Sequence, residues 1–403
     1  MREAFRQMRS GRPRPVAIEV PPDVLEARAG IDILPPGGGA AGAEPDPDLL
    51  RTAASVLGSA RRPVICAGGG VVAADATGPL RLLAEALEAP VVMSPNGRGA
   101  LSDHHRLALT SLAGPAVLGD ADAVLAVGTR FRAPTGDPLP APPGTAVIHL
   151  NADPRDLGNA RGAKLRICGD AALGLTGLLE RLDGAARPSR TAELQAVRHW
   201  CAEALAPLEP QMSWLRALRT AIPDDGILVS EFTQVGYVSR VGYPVYRPRT
   251  YLGPGYQGAL GYGFPTALGA KVANPQVPVV SIAGDGGFGY SLQELSTARK
   301  YGIALVTVVF TDDAFGNVRR DQQDKFNGRL IGSDLANPDF TALARAFGVD
   351  AQRATTPDQL TGTLREALAG DEPFLIEVPV GEMPSPWPLL GRTGATPPPA
   401  AAR

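Results

Sequence analysis

Residues Val277–Asn317 read VPVVSIAGDGGFGYSLQELSTARKYGIALVTVVFTDDAFGN, and this stretch decides the fold. Val277 to Ala283 is a short apolar run rich in β-branched residues that stops abruptly at Gly284-Asp285-Gly286-Gly287, as a buried parallel strand does on opening into a tight loop. Leu292, Leu295 and Ala298 then put an apolar stripe on a helix that Gly302 ends. Ile303 to Phe310 is a second β-branched strand, followed by Thr311-Asp312-Asp313. The unit reads as strand, helix, parallel strand, with an acid at the carboxyl end of each strand.

Ligands of open parallel sheets bind at the carboxyl ends of the strands, so Asp285 and Asp312 can face one site although 27 residues separate them. Two hard oxygen ligands suit Mg²⁺, whose shell is usually completed by water and substrate phosphates. Glycines at 284, 286, 287 and 289 let phosphate oxygens approach backbone N–H groups, and the N-terminus of the following helix favours an anion. The bland alternative is an ordinary surface turn, because glycine and aspartate are common turn formers. The strand placement and the second acid at a matching strand end favour the site.

Outward from this unit, 403 residues with 44% apolar content predict two or three globular domains. A net charge of −2 offers no long-range attraction to nucleic acid or an anionic membrane. No apolar run approaches the about 20 residues that span a bilayer, and the first residues lack a signal-peptide core. Cys66, Cys168 and Cys201 are odd in number and widely spaced, which suggests neither a disulfide framework nor a zinc site and fits a reducing cytoplasm.

The expected fold class is α/β, with two doubly wound parallel-sheet domains and a remnant of a third. Residues 1–30, a short helix and a strand Val16 to Val20, read as the end of a further domain, and residues 31–46 as a Pro/Gly linker. Residues 47–183 alternate helix and strand in a central domain. Residues 190–383 form the domain that holds the acids, and a Pro/Ala-rich tail over 384–403 is expected to be disordered. Gly68-Gly69-Gly70 lacks the spacing of a dinucleotide fingerprint and reads as a tight turn. His104 and His105 diverge and have no third ligand, so they read as surface loop residues.

In the last domain, Glu231 and Gln234 follow the strand Gly226 to Ser230 on the ligand side of the sheet, though Gln234 could equally be a polar loop residue. Gly255 to Pro265 holds four glycines in its first nine residues, a density that implies close backbone approach, to a ligand or to a packed helix. Arg319 to Gln323 either line the site entrance or form a solvated helix face.

Together these segments resemble the thiamine-diphosphate-dependent enzymes, whose signature is GDG followed some 27 residues later by an Asn or Asp metal ligand, here Gly284-Asp285-Gly286 and Asp312. GRPRPVAIEVPPDVL, RPVICAGGGV, GRGALSDHH, GTRF, GYQGALGYGFPTALGAKVANP and AFGNVRRDQQ extend the likeness over nearly the whole chain, to the acetolactate synthase large-subunit branch. Thr311 departs from the pattern, which usually has Asn or Asp there.

The resemblance implies thiamine diphosphate and Mg²⁺ as cofactors, a 2-oxo acid as substrate and decarboxylation or carboligation as the reaction. It assigns Asp285, Asp312 and the Ala314 carbonyl to the metal, and Gln234, Gly258, Leu260, Gly284, Gly286, Gly287 and Phe315 to the cofactor. FAD stays open, with Gly128-Thr129-Arg130 as its contact. The family's glutamate that acts on the aminopyrimidine belongs to a pyrimidine-binding domain mostly absent from this sequence. A homo-oligomer or a partner chain bearing that domain is therefore expected, with a catalytically silent binding protein as the alternative.

Overall fold

The computed structural model describes residues 1–35, 42–131, 141–157, 162–255 and 257–390. Among the described residues, twelve strands form two sheets, and every pairing within them is parallel. In the first sheet β1 is Pro63–Ala67, β2 Val91–Met93, β3 Ala108–Thr110, β4 Ala123–Val127, β5 Ala146–Asn151 and β6 Ala163–Cys168. Their order is β3-β2-β1-β4-β5-β6, so the chain reverses its direction of growth between β1 and β4.

The second sheet holds β7 Ile227–Ser230, β8 Tyr251–Leu252, β9 Val279–Gly284, β10 Val306–Thr311, β11 Asp350–Arg353 and β12 Phe374–Pro379, in the order β11-β12-β10-β9-β7-β8. Its reversal falls between β7 and β9. The apolar runs are continuous because both faces are buried. Val280, Ile282, Val306, Val308 and Phe310 enter the core on one side, while Val279, Ala283 and Val309 enter the core on the other. Two doubly wound α/β sheets are thus present, as the sequence indicates.

Gly68-Gly69-Gly70 is not a simple turn. Gly68 caps a short helix, Gly69–Ala73, and the glycines serve close packing across the reversal of the first sheet. The Gly68 N–H donates to the Val127 carbonyl and the Gly70 N–H to the Gly128 carbonyl. A Cβ on Gly68 would lie 2.2 Å from the Gly128 oxygen, and one on Gly70 2.7 Å from the Gly128 Cα. Gly128 itself has φ +57°.

Two further expectations differ from the structure. Val16 to Val20 is not a strand, and Ile18 is 48% exposed. The expected strand is absent because a strand needs a sheet edge to pair with, and none of the described residues supplies one. The preceding residues are tied down instead, Arg12 to Asp156 at 2.9 Å and Arg14 to Asp153. In the tail, Trp387–Leu390 is a short helix rather than disordered. Composition hid the cause: the Trp387 ring packs on Tyr237 at 4.8 Å, and its Nε1–H donates to Asn317 Oδ1 at 2.5 Å. Residues 36–41 of the linker, Tyr256 and the tail from 391 lie outside the described residues.

His104 and His105 diverge as expected, His104 stacking on Tyr246 at 3.8 Å and His105 Nε2 lying 3.1 Å from Glu85. All three cysteines are free. No helix among the described residues is long and apolar enough to cross a membrane.

Candidate functional site

The carboxyl ends of β7, β9 and β10 lie side by side, and each carries an acid. Asp285 follows β9 and is only 3% exposed. Its Oδ1 accepts the Gly286 N–H at 2.8 Å. Its Oδ2 accepts the Asp313 N–H at 2.8 Å, the Asp312 N–H at 3.2 Å and Asn337 Nδ2 at 2.7 Å. One carboxylate therefore fastens the end of β9 to the end of β10. Burial nevertheless raises its pKa above the usual carboxylate range, and those donors only partly offset it.

Asp312 carries the larger perturbation. Burial first, and then the charge of Asp285, push it up to about 7. Two carboxylates that raise one another's cost of ionisation make a place where a cation is stabilising. No group of three or more His, Cys, Asp or Glu suited to a metal occurs among the described residues, so further ligands would be backbone, water or a ligand's own oxygens. Ala314 meets that need. The bridge between Ala314 and Asp334 is made by the Phe315 N–H to the Ser333 carbonyl and the Leu335 N–H to the Asp313 carbonyl, both 2.8 Å, which leaves the Ala314 carbonyl outside the ladder. Asp313 reaches its place with φ +52°, and Asn337 Nδ2 also donates to its Oδ1 at 2.8 Å.

The glycines of the turn are in close contact with neighbours. A Cβ on Gly286 would lie 2.6 Å from the Phe315 ring, and one on Gly287 2.4 Å from Glu231 Oε1. Phe315 thus covers the turn that Asp285 opens. The Gly286 N–H is engaged by Asp285 rather than standing free.

Glu231 follows β7, and it links this turn to the glycine-rich loop. Its Oε1 accepts the Gly261 N–H at 2.6 Å and its Oε2 the Gly263 N–H at 3.2 Å. Within that loop, Gly258 lies directly beneath the Phe232 ring, where a Cβ would be 1.6 Å from Cε2, and Leu260 is 41% exposed. Gln234 begins the helix Gln234–Gly242. Its Nε2 and Asp312 Oδ2 converge on Gly316, at 3.0 and 2.7 Å from the position of a Cβ there. The structure therefore brings Gln234, Gly258, Leu260 and Gly284–Gly287 together with Asp312, Ala314 and Phe315 along one edge of the second sheet.

Residues 233–378 match the family model for the thiamine pyrophosphate enzyme C-terminal TPP binding domain, and residues 50–178 match that for the thiamine pyrophosphate enzyme central domain. A probable acetolactate synthase large subunit of Methanococcus aeolicus is 31% identical over 411 residues, covering 93% of this chain and 68% of that protein. The chain belongs to the thiamine pyrophosphate enzyme family. A probable 2-ketoarginine decarboxylase of Pseudomonas aeruginosa is 34% identical, with 93% of this chain and 68% of that protein covered. A sulfoacetaldehyde acetyltransferase of Rhodobacter capsulatus is 33% identical, with 88% and 66% covered. Similar relatives of this thiamine pyrophosphate enzyme thus differ in the reactions their names describe.

Two residues beside the site are not legible in the sequence, and a third, Arg320, reads two ways. Asn337 lies 52 residues from Asp285, outside any spacing motif. Met383 offers only its backbone carbonyl, which side-chain reasoning does not see. From sequence Arg320 reads either as an entrance residue or as part of a solvated helix face. Its Nη1 donates to Gln234 Oε1 at 3.2 Å and its Nη2 to the Met383 carbonyl at 2.6 Å, whereas Arg319 pairs outward with Asp334 at 2.5 Å. Adjacent residues on one helix therefore play the two parts separately.

Proposed function

We propose that this chain is the thiamine diphosphate- and Mg²⁺-binding component of an enzyme that decarboxylates 2-oxo acids or joins them to a second carbonyl compound, as acetolactate synthases do. The observation that carries the reading is the pair Asp285, buried, and Asp312, half-buried, from adjacent strand ends, with no cationic side chain balancing them among the described residues. That donor set fits Mg²⁺ on a diphosphate: two carboxylates, the Ala314 carbonyl, and room for phosphate oxygens. When bound, thiamine diphosphate supplies the nucleophilic carbon and the electron sink on which decarboxylation of a 2-oxo acid depends.

The chain's own residues would bind and orient. Asp285, Asp312 and Ala314 hold the metal; Gly284, Gly286, Gly287 and Gln234 face the diphosphate. Gly258 and Leu260 face the ring end, and Phe315 shields the turn from water. Flavin is the second cofactor the reading admits. A cavity of about 1790 Å³ opens at the reversal of the first sheet beside Gly68, Gly70 and Gly128–Arg130 and runs on to Phe232 and Gly258, so a flavin would occupy only its first-sheet part. A flavin absorption band retained after gel filtration of the reconstituted chain is the check.

The chain spans about two thirds of the length of its relatives. The decisive assay is therefore CO₂ release from pyruvate and longer 2-oxo acids, with the chain alone and with a partner bearing a pyrimidine-binding domain. Turnover in either arm that requires both cofactors supports the reading, and magnesium-independent turnover or none in either arm overturns it.

A pH dependence follows from Asp312. In the metal-free chain its carboxyl is held near pH 7, so below that value Mg²⁺ must displace a proton. Magnesium affinity is expected to rise as pH is raised through about 7 and to fall about tenfold per unit well below it. Titration calorimetry in buffers of different ionisation enthalpy would detect the released proton. A pH-independent affinity between about 6 and about 8 would contradict the pairing of these acids.

A further inference from the structure

Glu231 is a carboxylate that the reading above leaves without work. It is 1% exposed, burial raises its pKa, and it forms no ion pair among the described residues. Its charge is met by backbone alone, the N–H groups of Gly261 and Gly263 with a further contribution from Tyr262. Successive N–H groups converging on one anion form a nest, and here the anion belongs to the protein itself.

Such a carboxylate is expensive to bury, and a structural tie between two loops could have been made with neutral groups. What a carboxylate adds is two oxygens that accept everything and donate nothing, which suits a loop offering only N–H groups. The same carboxyl group abuts the Gly287 Cα, with a Cβ there only 2.4 Å from Oε1. Gly263 is also close, its Cβ position 2.9 Å from the Glu231 Cβ. Gly261 has φ +79°, and its Cβ position lies 2.8 Å from the Tyr290 side chain, just past the turn. One residue at the end of β7 therefore touches both the turn assigned to the diphosphate and the loop assigned to the ring end.

We propose that Glu231 is a positioning residue that holds the Gly258–Gly263 loop in fixed register with the Gly286-Gly287 turn before any ligand arrives, so that the two ends of a long cofactor meet sites already aligned. This rests on the reading of the site as one for thiamine diphosphate. It assigns Glu231 no contact with the cofactor and no proton transfer. Its contribution is to remove an ordering cost that binding would otherwise bear.

The test compares two probes in the full chain with Mg²⁺ present. Inorganic pyrophosphate reports the diphosphate end alone, and thiamine diphosphate reports both ends. In Glu231→Gln the amide NH₂ faces an N–H donor, so the loop loses at least one charge-assisted bond. Thiamine diphosphate affinity is expected to fall about tenfold or more, pyrophosphate affinity to stay within about twofold, and the amides of 261–263 to exchange faster. Equal losses with both probes, or no loss with unchanged exchange, would overturn the proposal.

If the wild-type chain binds neither probe, the cofactor reading fails, and the exchange measurement still decides whether Glu231 orders the loop. Should Glu231→Gln not fold, Glu231→Asp keeps the charge but retracts it by one methylene. That variant is expected to lose affinity for thiamine diphosphate selectively and less severely. A folded Asp variant that binds both probes as the wild type does, with unchanged amide exchange, would overturn the proposal as well.

Discussion

Asp285→Ala is expected to weaken magnesium-dependent thiamine diphosphate binding by about a hundredfold or more, because it removes a charged ligand from a site with two carboxylates. The same change strands the Asp312 and Asp313 N–H groups and the Asn337 amide, all of which donate to this carboxylate. A fully buried stranded donor costs about 1–3 kcal/mol, and these part-buried ones less each, so the alanine variant also loses stability. Asp285→Asn separates the two effects: it keeps the shape and one acceptor oxygen but loses the charge. Calorimetry should find it nearly as poor in metal-dependent binding yet closer to wild type in denaturation. Unchanged affinity in both variants would remove Asp285 from the metal site.

Gly68→Ala is expected to destabilise the first α/β unit by about 1–3 kcal/mol, toward the upper end because the obstacle is backbone. The added methyl would sit 2.2 Å from the Gly128 carbonyl oxygen, and Gly128 is itself held at φ +57° where it meets Gly70. Neither backbone can retreat without breaking the bonds that join Gly68 to Val127 and Gly70 to Gly128. Magnesium pyrophosphate binding at the second sheet should be untouched. An unchanged urea midpoint for the first unit would show that the two glycines are not in the contact described here.

What could be read from sequence and what could not divide along physical lines. Runs such as Val306–Thr311 are rich in β-branched residues and buried at all but the last position because both faces of the sheet are covered, so a local pattern suffices to find the strands. Asp285 and Asp312 can be placed side by side from sequence because strand ends in such a sheet share one edge. Gly68-Gly69-Gly70 is not a simple turn because the reason for those glycines lies at Gly128, just past the end of the strand across the reversal. Val16 to Val20 carries a strand's alternation without a neighbour to pair with, and periodicity does not supply neighbours. Glu231 was noticed on the correct side of the sheet, but its partners are N–H groups of a loop 30 residues further on, invisible to any side-chain pattern.

The packing of Trp387 gives the chain an optical reporter of its own. Of the three tryptophans, Trp214 is buried in the core of the second unit beside Phe310, where its surroundings are set by the fold. Trp387 instead rests on Tyr237 and donates to Asn317, the residue after Gly316, where Gln234 and Asp312 converge. Any rearrangement of that segment on filling the site reaches the indole through one hydrogen bond. Its emission can therefore follow occupancy in real time, without a label and without turnover.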